Sequence, residues 1–138
     1  MKKILTDTGP LVALLDRRDR YHEWAKAQVE GIDPPLYTCE AVLSEACFLL
    51  RQVPGGPQNV LDLVRRGLLV VAFSIQNEAS TLVSLLMRYS NVPMALADAC
   101  MVRLSELNPG SPLLTFDSDF KIYRIHGRGA IPIVMPDA

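Results

Sequence analysis

Lys3-Ile4-Leu5-Thr6-Asp7-Thr8-Gly9-Pro10-Leu11-Val12-Ala13-Leu14-Leu15 is the stretch on which the fold turns. Lys3 to Thr6 reads as a short buried strand. Gly9-Pro10 then opens a helical turn carried on through Leu11, Val12, Leu14 and Leu15, because proline fits the start of a helix and nowhere later. Strand, tight turn and helix in immediate succession mark the first half of a βα unit, and Asp7 falls where the strand hands over to the helix. In open α/β sheets that position, just outside the carboxyl end of a strand, is where ligands bind. Asp7 or Thr8 capping the next helix would explain the local sequence equally well.

Outward from this stretch the same alternation recurs. Arg17 to Arg20 is a charged break, after which Tyr21, Trp24, Ala25 and Val29 mark one face of a helix ending near Gly31. Asp33-Pro34-Pro35 breaks the chain, Leu36 to Thr38 forms a brief strand, and an apolar helix runs from about Glu40 to Gln52 before the loop Pro54-Gly55-Gly56-Pro57. A helix with Val60, Leu61, Leu63 and Val64 closes at Gly67, and Leu68 to Phe73 reads as a buried parallel strand. Ser74 caps a helix bearing Leu82, Val83, Leu85, Leu86 and Tyr89; Asn91-Val92-Pro93 separates it from another over about Met94 to Leu107. Leu113 to Phe116 is a strand, Asp117 to Tyr123 a turn into a short helix, and Ile131 to Val134 a last strand. The predicted class is α/β, one domain over residues 1–138, with a mainly parallel central sheet flanked by helices on both faces.

Composition bounds the rest. In 138 residues, 49% are apolar, enough for a real core, and the formal net charge of -1 provides no overall field to draw the chain onto a polyanion. Met1-Lys2-Lys3-Ile4-Leu5 imitates a secretory leader, but Asp7 and Pro10 interrupt it early, so it is expected to be part of the folded chain. No apolar run approaches the roughly 18 residues of a membrane span. Cys39, Cys47 and Cys100 are odd in number and unpaired in spacing, as expected of core residues in a reducing cytoplasm rather than of a disulfide framework or zinc site.

Four acids stand out. Asp117 repeats the situation of Asp7 at the end of Leu113-Leu114-Thr115-Phe116, where a turn or capping aspartate is the plain alternative. Glu45 has Ala41, Val42, Phe48 and Leu49 at helical spacing, and Asp98 has Met94, Ala95, Met101 and Val102, so both are expected to face the interior. No Lys, Arg or His lies three or four residues from either acid, and a buried unpaired carboxylate costs several kcal/mol, which leaves a distant arginine or a shared cation to hold them. A hard divalent cation would keep all four ionised together. An all-oxygen donor set favours Mg2+ or Mn2+ over zinc, and the chemistry such a centre suits is phosphodiester hydrolysis.

In order and spacing, Leu5-Thr6-Asp7-Thr8, Glu45, Ala97-Asp98-Ala99 and Leu114-Thr115-Phe116-Asp117-Ser118-Asp119-Phe120 resemble the PIN-domain family, and within it the VapC-like ribonuclease toxins of toxin-antitoxin pairs. The resemblance runs nearly end to end, and its most distinctive piece is the T-x-D-x-D-F segment. It implies that Asp7, Glu45, Asp98 and Asp117 form the site and bind Mg2+ or Mn2+, directly or through water. It further implies hydrolysis of RNA by an activated water to 5′-phosphate and 3′-hydroxyl ends, a homodimer, and a small antitoxin covering the groove. Thr8 and Thr115 are supporting candidates through their hydroxyls, and Asp119 stands behind the four acids, with capping of the Phe120 helix as its alternative. Arg17, Arg18, Arg20, Lys121, Arg124 and Arg128 flank the acidic segments and are candidates for phosphate contacts or plain surface charge.

Other readings remain. A PIN fold could serve RNA processing or act as a regulatory RNA-binding module with no toxin role. Thr6-Asp7-Thr8-Gly9 superficially resembles the phosphate loop of flavodoxin-like nucleotide-binding modules, but Asp7 would repel the anion and Pro10 removes a donor. A haloacid-dehalogenase-like phosphatase needs a second Asp two residues after Asp7, where Gly9 stands.

Overall fold

The computed structural model describes residues 2–137; Met1, part of the leader-like opening, and Ala138 lie outside them. In chain order the elements are β1 (Ile4–Thr6), α1 (Thr8–Leu15), α2 (His22–Glu30), β2 (Leu36–Thr38), α3 (Glu40–Leu49), α4 (Gly56–Arg65), β3 (Leu69–Val71), α5 (Ile75–Arg88), α6 (Leu96–Leu107), β4 (Leu113–Leu114), a 3₁₀ turn (Ser118–Lys121), β5 (Arg124–Ile125), β6 (Gly129–Ala130) and β7 (Ile133–Val134).

Five strands form a sheet in the order β3-β2-β1-β4-β7, and every pairing within it is parallel. The chain steps outward from β1 to β2 and β3, then crosses back to place β4 on the other side of β1. Because crossovers are right-handed, the reversal puts α1 to α4 on one face and α5 and α6 on the other. In the packing, α1 lies against α2, α3 and α4 and α5 lies against α6, while α3 also touches α6 and so links the two groups. Covered on both faces, the strands contribute continuous apolar side chains such as Leu5, Leu69, Leu113 and Leu114 to a core completed by Val42, Met101, Val102, Phe120 and Tyr123. Strand order rules against the flavodoxin-like alternative, whose order is 2-1-3-4-5.

The reversal also makes a topological switch between β1 and β4. Connections leave these neighbouring strands toward opposite faces, so a crevice opens at their carboxyl ends. Asp7 follows β1 directly and Asp117 lies three residues beyond β4.

Several boundaries differ from the sequence reading. Gly56 and Pro57 belong to the first turn of α4 instead of the preceding loop, since the missing proline N–H is not needed there. The helix expected from Met94 starts at Leu96, and α3 stops at Leu49. β2 has the expected bounds while the other expected strands are shorter, and the β5–β6 hairpin is an element the sequence reading did not separate from its surroundings. Ser74 caps α5 as expected, its Oγ accepting the Asn77 N–H at 3.1 Å. Cys39, Cys47 and Cys100 are free thiols, the first and last buried. No helix among the described residues is long and apolar enough to cross a membrane.

Candidate functional site

Asp7, Thr8, Gly9, Glu45, Asp98, Phe116 and Asp117 line one open cleft of about 280 Å³, together with Leu49. Four acids from four separate parts of the chain thus meet at the switch between β1 and β4. The acids that do form ion pairs, Asp62, Glu78 and Glu106, lie elsewhere. Among the described residues no Lys, Arg or His comes within ion-pair distance of any of the four. A distant arginine therefore does not hold them.

Asp7 is buried, yet its side chain does not cap α1 although it occupies the N-cap position. Its Oδ2 instead accepts a hydrogen bond of 3.0 Å from the Thr115 hydroxyl, and the same Thr115 oxygen accepts the Asp117 N–H at 3.0 Å. Thr115 thus ties the end of β1 to the turn after β4. Burial pushes the Asp7 carboxyl up to about 6; the Thr8 N–H and the Thr115 hydroxyl oppose the shift, and the charges of Asp98 and Glu45 add to it.

Asp98 is only half-buried and is not held by apolar helix neighbours, as the sequence reading expected. With α6 starting at Leu96, it sits in the first turn, and its Oδ2 accepts the Ala95 N–H at 3.2 Å. The same oxygen accepts the Tyr123 hydroxyl at 3.1 Å. Burial raises its pKa, with Asp117 and Glu45 contributing further. Asp117 caps the 3₁₀ turn through Oδ1, which accepts the Asp119 N–H at 2.9 Å. Asp117, not Asp119, is therefore the cap, and Asp119 lies off the cleft lining.

Glu45 requires the clearest correction: it is exposed, not interior. The apolar residues ahead of it, Phe48 and Leu49, are themselves 61% and 51% exposed, because α3 buries Val42, Ala46 and Leu50 instead. The helix is apolar on more than its core face, so helical spacing misjudged the direction of Glu45. It stands at the mouth of the cleft.

Asp98 and Asp117 each have one oxygen engaged by donors of the chain and one, Asp98 Oδ1 and Asp117 Oδ2, that accepts no hydrogen bond among the described residues, while the Asp7 carboxylate is held by the Thr115 hydroxyl and the Thr8 N–H. Thr8 Oγ1, at the same cleft, is buried without a partner. Oxygen-only ligands, free acceptor atoms and mutual repulsion suit a hard cation. The lining is loose, however, and no three His, Cys, Asp or Glu side chains among the described residues close up enough to enclose an ion alone. Mg2+ tolerates that arrangement, since it retains several waters and takes only one or two carboxylates directly. The residues fit a hydrated Mg2+ or Mn2+.

The rim is built by aromatic packing. Phe116 lies against Tyr21 and Trp24, with ring centroids 4.8 and 5.6 Å away, and joins the start of α2 to the cleft edge. Gly9 is needed there: a Cβ on it would fall 2.8 Å from the Phe116 ring. Of the basic candidates, Arg124 is spent on structure, its Nη1 donating to the carbonyls of Lys121, Ile122 and Tyr123. Tyr123 is the participant that sequence reading missed. It was read only as the end of a turn into a short helix, and the sole available signal was a tyrosine six residues beyond Asp117.

Comparison with curated protein sequences finds no match. Among solved structures, the sarcin-ricin loop cleaving toxin VapC20 of Mycobacterium tuberculosis superposes with a TM-score of 0.72 at 23% identity, over 87% of this chain and 94% of that one. At that identity the likeness concerns the fold. The sequence profile of the PIN domain matches residues 4–125, which include every residue of the carboxylate cleft from Asp7 to Asp117, and the chain belongs to the PIN domain family.

Proposed function

We propose that this chain is a Mg2+- or Mn2+-dependent endoribonuclease, one PIN nuclease domain over residues 1–138, acting as the toxin of a toxin-antitoxin pair in the cytoplasm. The observation that carries the nuclease reading is the cleft of four carboxylates without a basic partner, in which Asp98 and Asp117 each keep one oxygen free. Membership of the PIN domain family supports it, and the fold shared with VapC20 supports RNA as substrate and a small antitoxin protein as partner. A homodimer belongs to the same reading.

Asp7, Glu45, Asp98 and Asp117 would hold the cation, directly or through water, with Asp7 and Asp98 foremost. When bound, such a cation supplies charge neutralisation at the phosphoryl oxygens and acidifies a water at neutral pH. The chain's own part is orientation. Thr115 fixes Asp7 and the Asp117 backbone relative to each other, and Thr8 offers its unpartnered hydroxyl to the cleft. Glu45, exposed at the mouth, is placed to accept a proton from a water entering from solvent. Phe116 and Leu49 wall the cleft with apolar surface.

Purified protein incubated with single-stranded and hairpin RNAs tests this. Cleavage should require Mg2+ or Mn2+, stop with chelator, and fall by about a hundredfold or more in Asp7→Asn and Asp98→Asn. Cleavage unchanged in both variants would overturn the site assignment. Loss of toxicity on co-expression with a neighbouring antitoxin-like reading frame tests the biological role separately.

A further inference from the structure

We infer that Tyr123 is a positioning residue, selecting which oxygen Asp98 turns into the cleft; the inference rests on the cation-site reading above. Asp98 Oδ2 accepts both the Ala95 N–H and the Tyr123 hydroxyl, so the carboxylate is held from one side and Oδ1 accepts nothing from the chain. The backbone donor comes free with the start of α6, but alone it would let the carboxylate turn about its χ2 bond. A second donor on the same oxygen fixes that rotation.

The hydroxyl has little choice of direction. Tyr123 is fully buried, its ring set edge-on against Tyr89 and Phe120 at centroid distances of 5.0 and 5.3 Å. Tyr89 in turn accepts the Arg124 N–H through its own hydroxyl at 3.0 Å, anchoring the backbone next to Tyr123. The ring is therefore clamped on two sides, and its oxygen is delivered to Asp98 from a region 25 residues further along the chain. A partner that orients a ligand to a metal in this way commonly changes affinity by 10- to 100-fold when lost.

Mn2+ binding to metal-free full-length protein, followed by electron paramagnetic resonance, tests the assignment without recourse to activity. Tyr123→Phe keeps the ring and removes the hydroxyl; Tyr37→Phe removes a tyrosine hydroxyl from β2, away from the cleft lining and from the ring cluster that holds Tyr123. Tyr123→Phe should weaken Mn2+ about tenfold while Tyr37→Phe leaves it as in the parent. Parental affinity in Tyr123→Phe, or equal weakening in both, overturns the role of Tyr123. Asp98→Asn separates the two levels of argument: if it binds Mn2+ as well as the parent, or if the parent binds none, the site reading fails and this inference with it.

Discussion

Replacing Asp7 by asparagine separates the burden this carboxylate places on the fold from the work it does. Asp7 is 7% exposed, so water screens it little. Its carboxyl rises from the ordinary value of 3.8 to about 6 in the folded chain. Ionisation is thus harder in the native state than in the unfolded one, and the burden is absent below about pH 3.8, grows with pH, and is complete above about 6. That gap corresponds to about 3 kcal/mol lost at neutral pH in the absence of metal. Asparagine keeps an acceptor for the Thr115 hydroxyl and presents its amide donors to neighbouring carboxylates. In chelator, Asp7→Asn should therefore unfold about 10 °C above the parent at pH 8, by the usual unfolding entropy for a chain of this size, and at the same temperature near pH 4. Adding Mn2+ should reverse the order, because only the parent gains binding energy. Thermal circular dichroism at both pH values checks this. A variant less stable than the parent at pH 8, or a difference that does not change with pH, would refute the electrostatic account of the cleft.

Thr115→Val removes the bridge between Asp7 Oδ2 and the Asp117 N–H, and urea unfolding should register a loss of about 2 kcal/mol. Gly9→Ala drives a methyl against the Phe116 ring, 2.8 Å from the added carbon; a cost of about 1–3 kcal/mol is expected, with a change in the fluorescence of Trp24, whose ring touches Phe116. Arg103 joins Glu78 and the nearly buried Glu106 at 2.8 and 3.1 Å, so Arg103→Met should cost about 3 kcal/mol in guanidinium unfolding by leaving Glu106 without its cation. A change below 0.5 kcal/mol would show that the pair has no structural weight.

What the sequence made legible was governed by local rules. The strand, turn and helix around Asp7 follow from Gly9-Pro10 and the apolar run behind it, and repetition of that pattern was enough for a parallel sheet with two helical layers. Asp7 and Asp117 were identifiable because strand ends are recognisable without knowing which strands are neighbours. Asp98 was found for a partly wrong reason: a boundary error of two residues turned a first-turn aspartate into an apparent interior one. Glu45 shows the limit of periodicity, since α3 carries apolar residues on an exposed face and spacing alone does not tell which of its faces meets the sheet. Thr115 was noticed but not its bond to Asp7, and the contact of Tyr123 with Asp98 was not foreseen. Both are fixed by tertiary packing, which leaves no local periodic trace.

Asp7 and Thr115 stand 108 positions apart, and the bond between them exists only once β4 has paired beside β1. On the ribosome β1 must wait for β4 to complete its edge, and the intervening helices and the strands β2 and β3 have all been translated by then. Such distant closure is entropically slow, so the acidic cleft is among the later native features to form. An incomplete polypeptide ending before Leu113 carries three of the four acids but lacks the framework that assembles them. Assembly of the carboxylate cleft is therefore tied by topology to translation beyond β4.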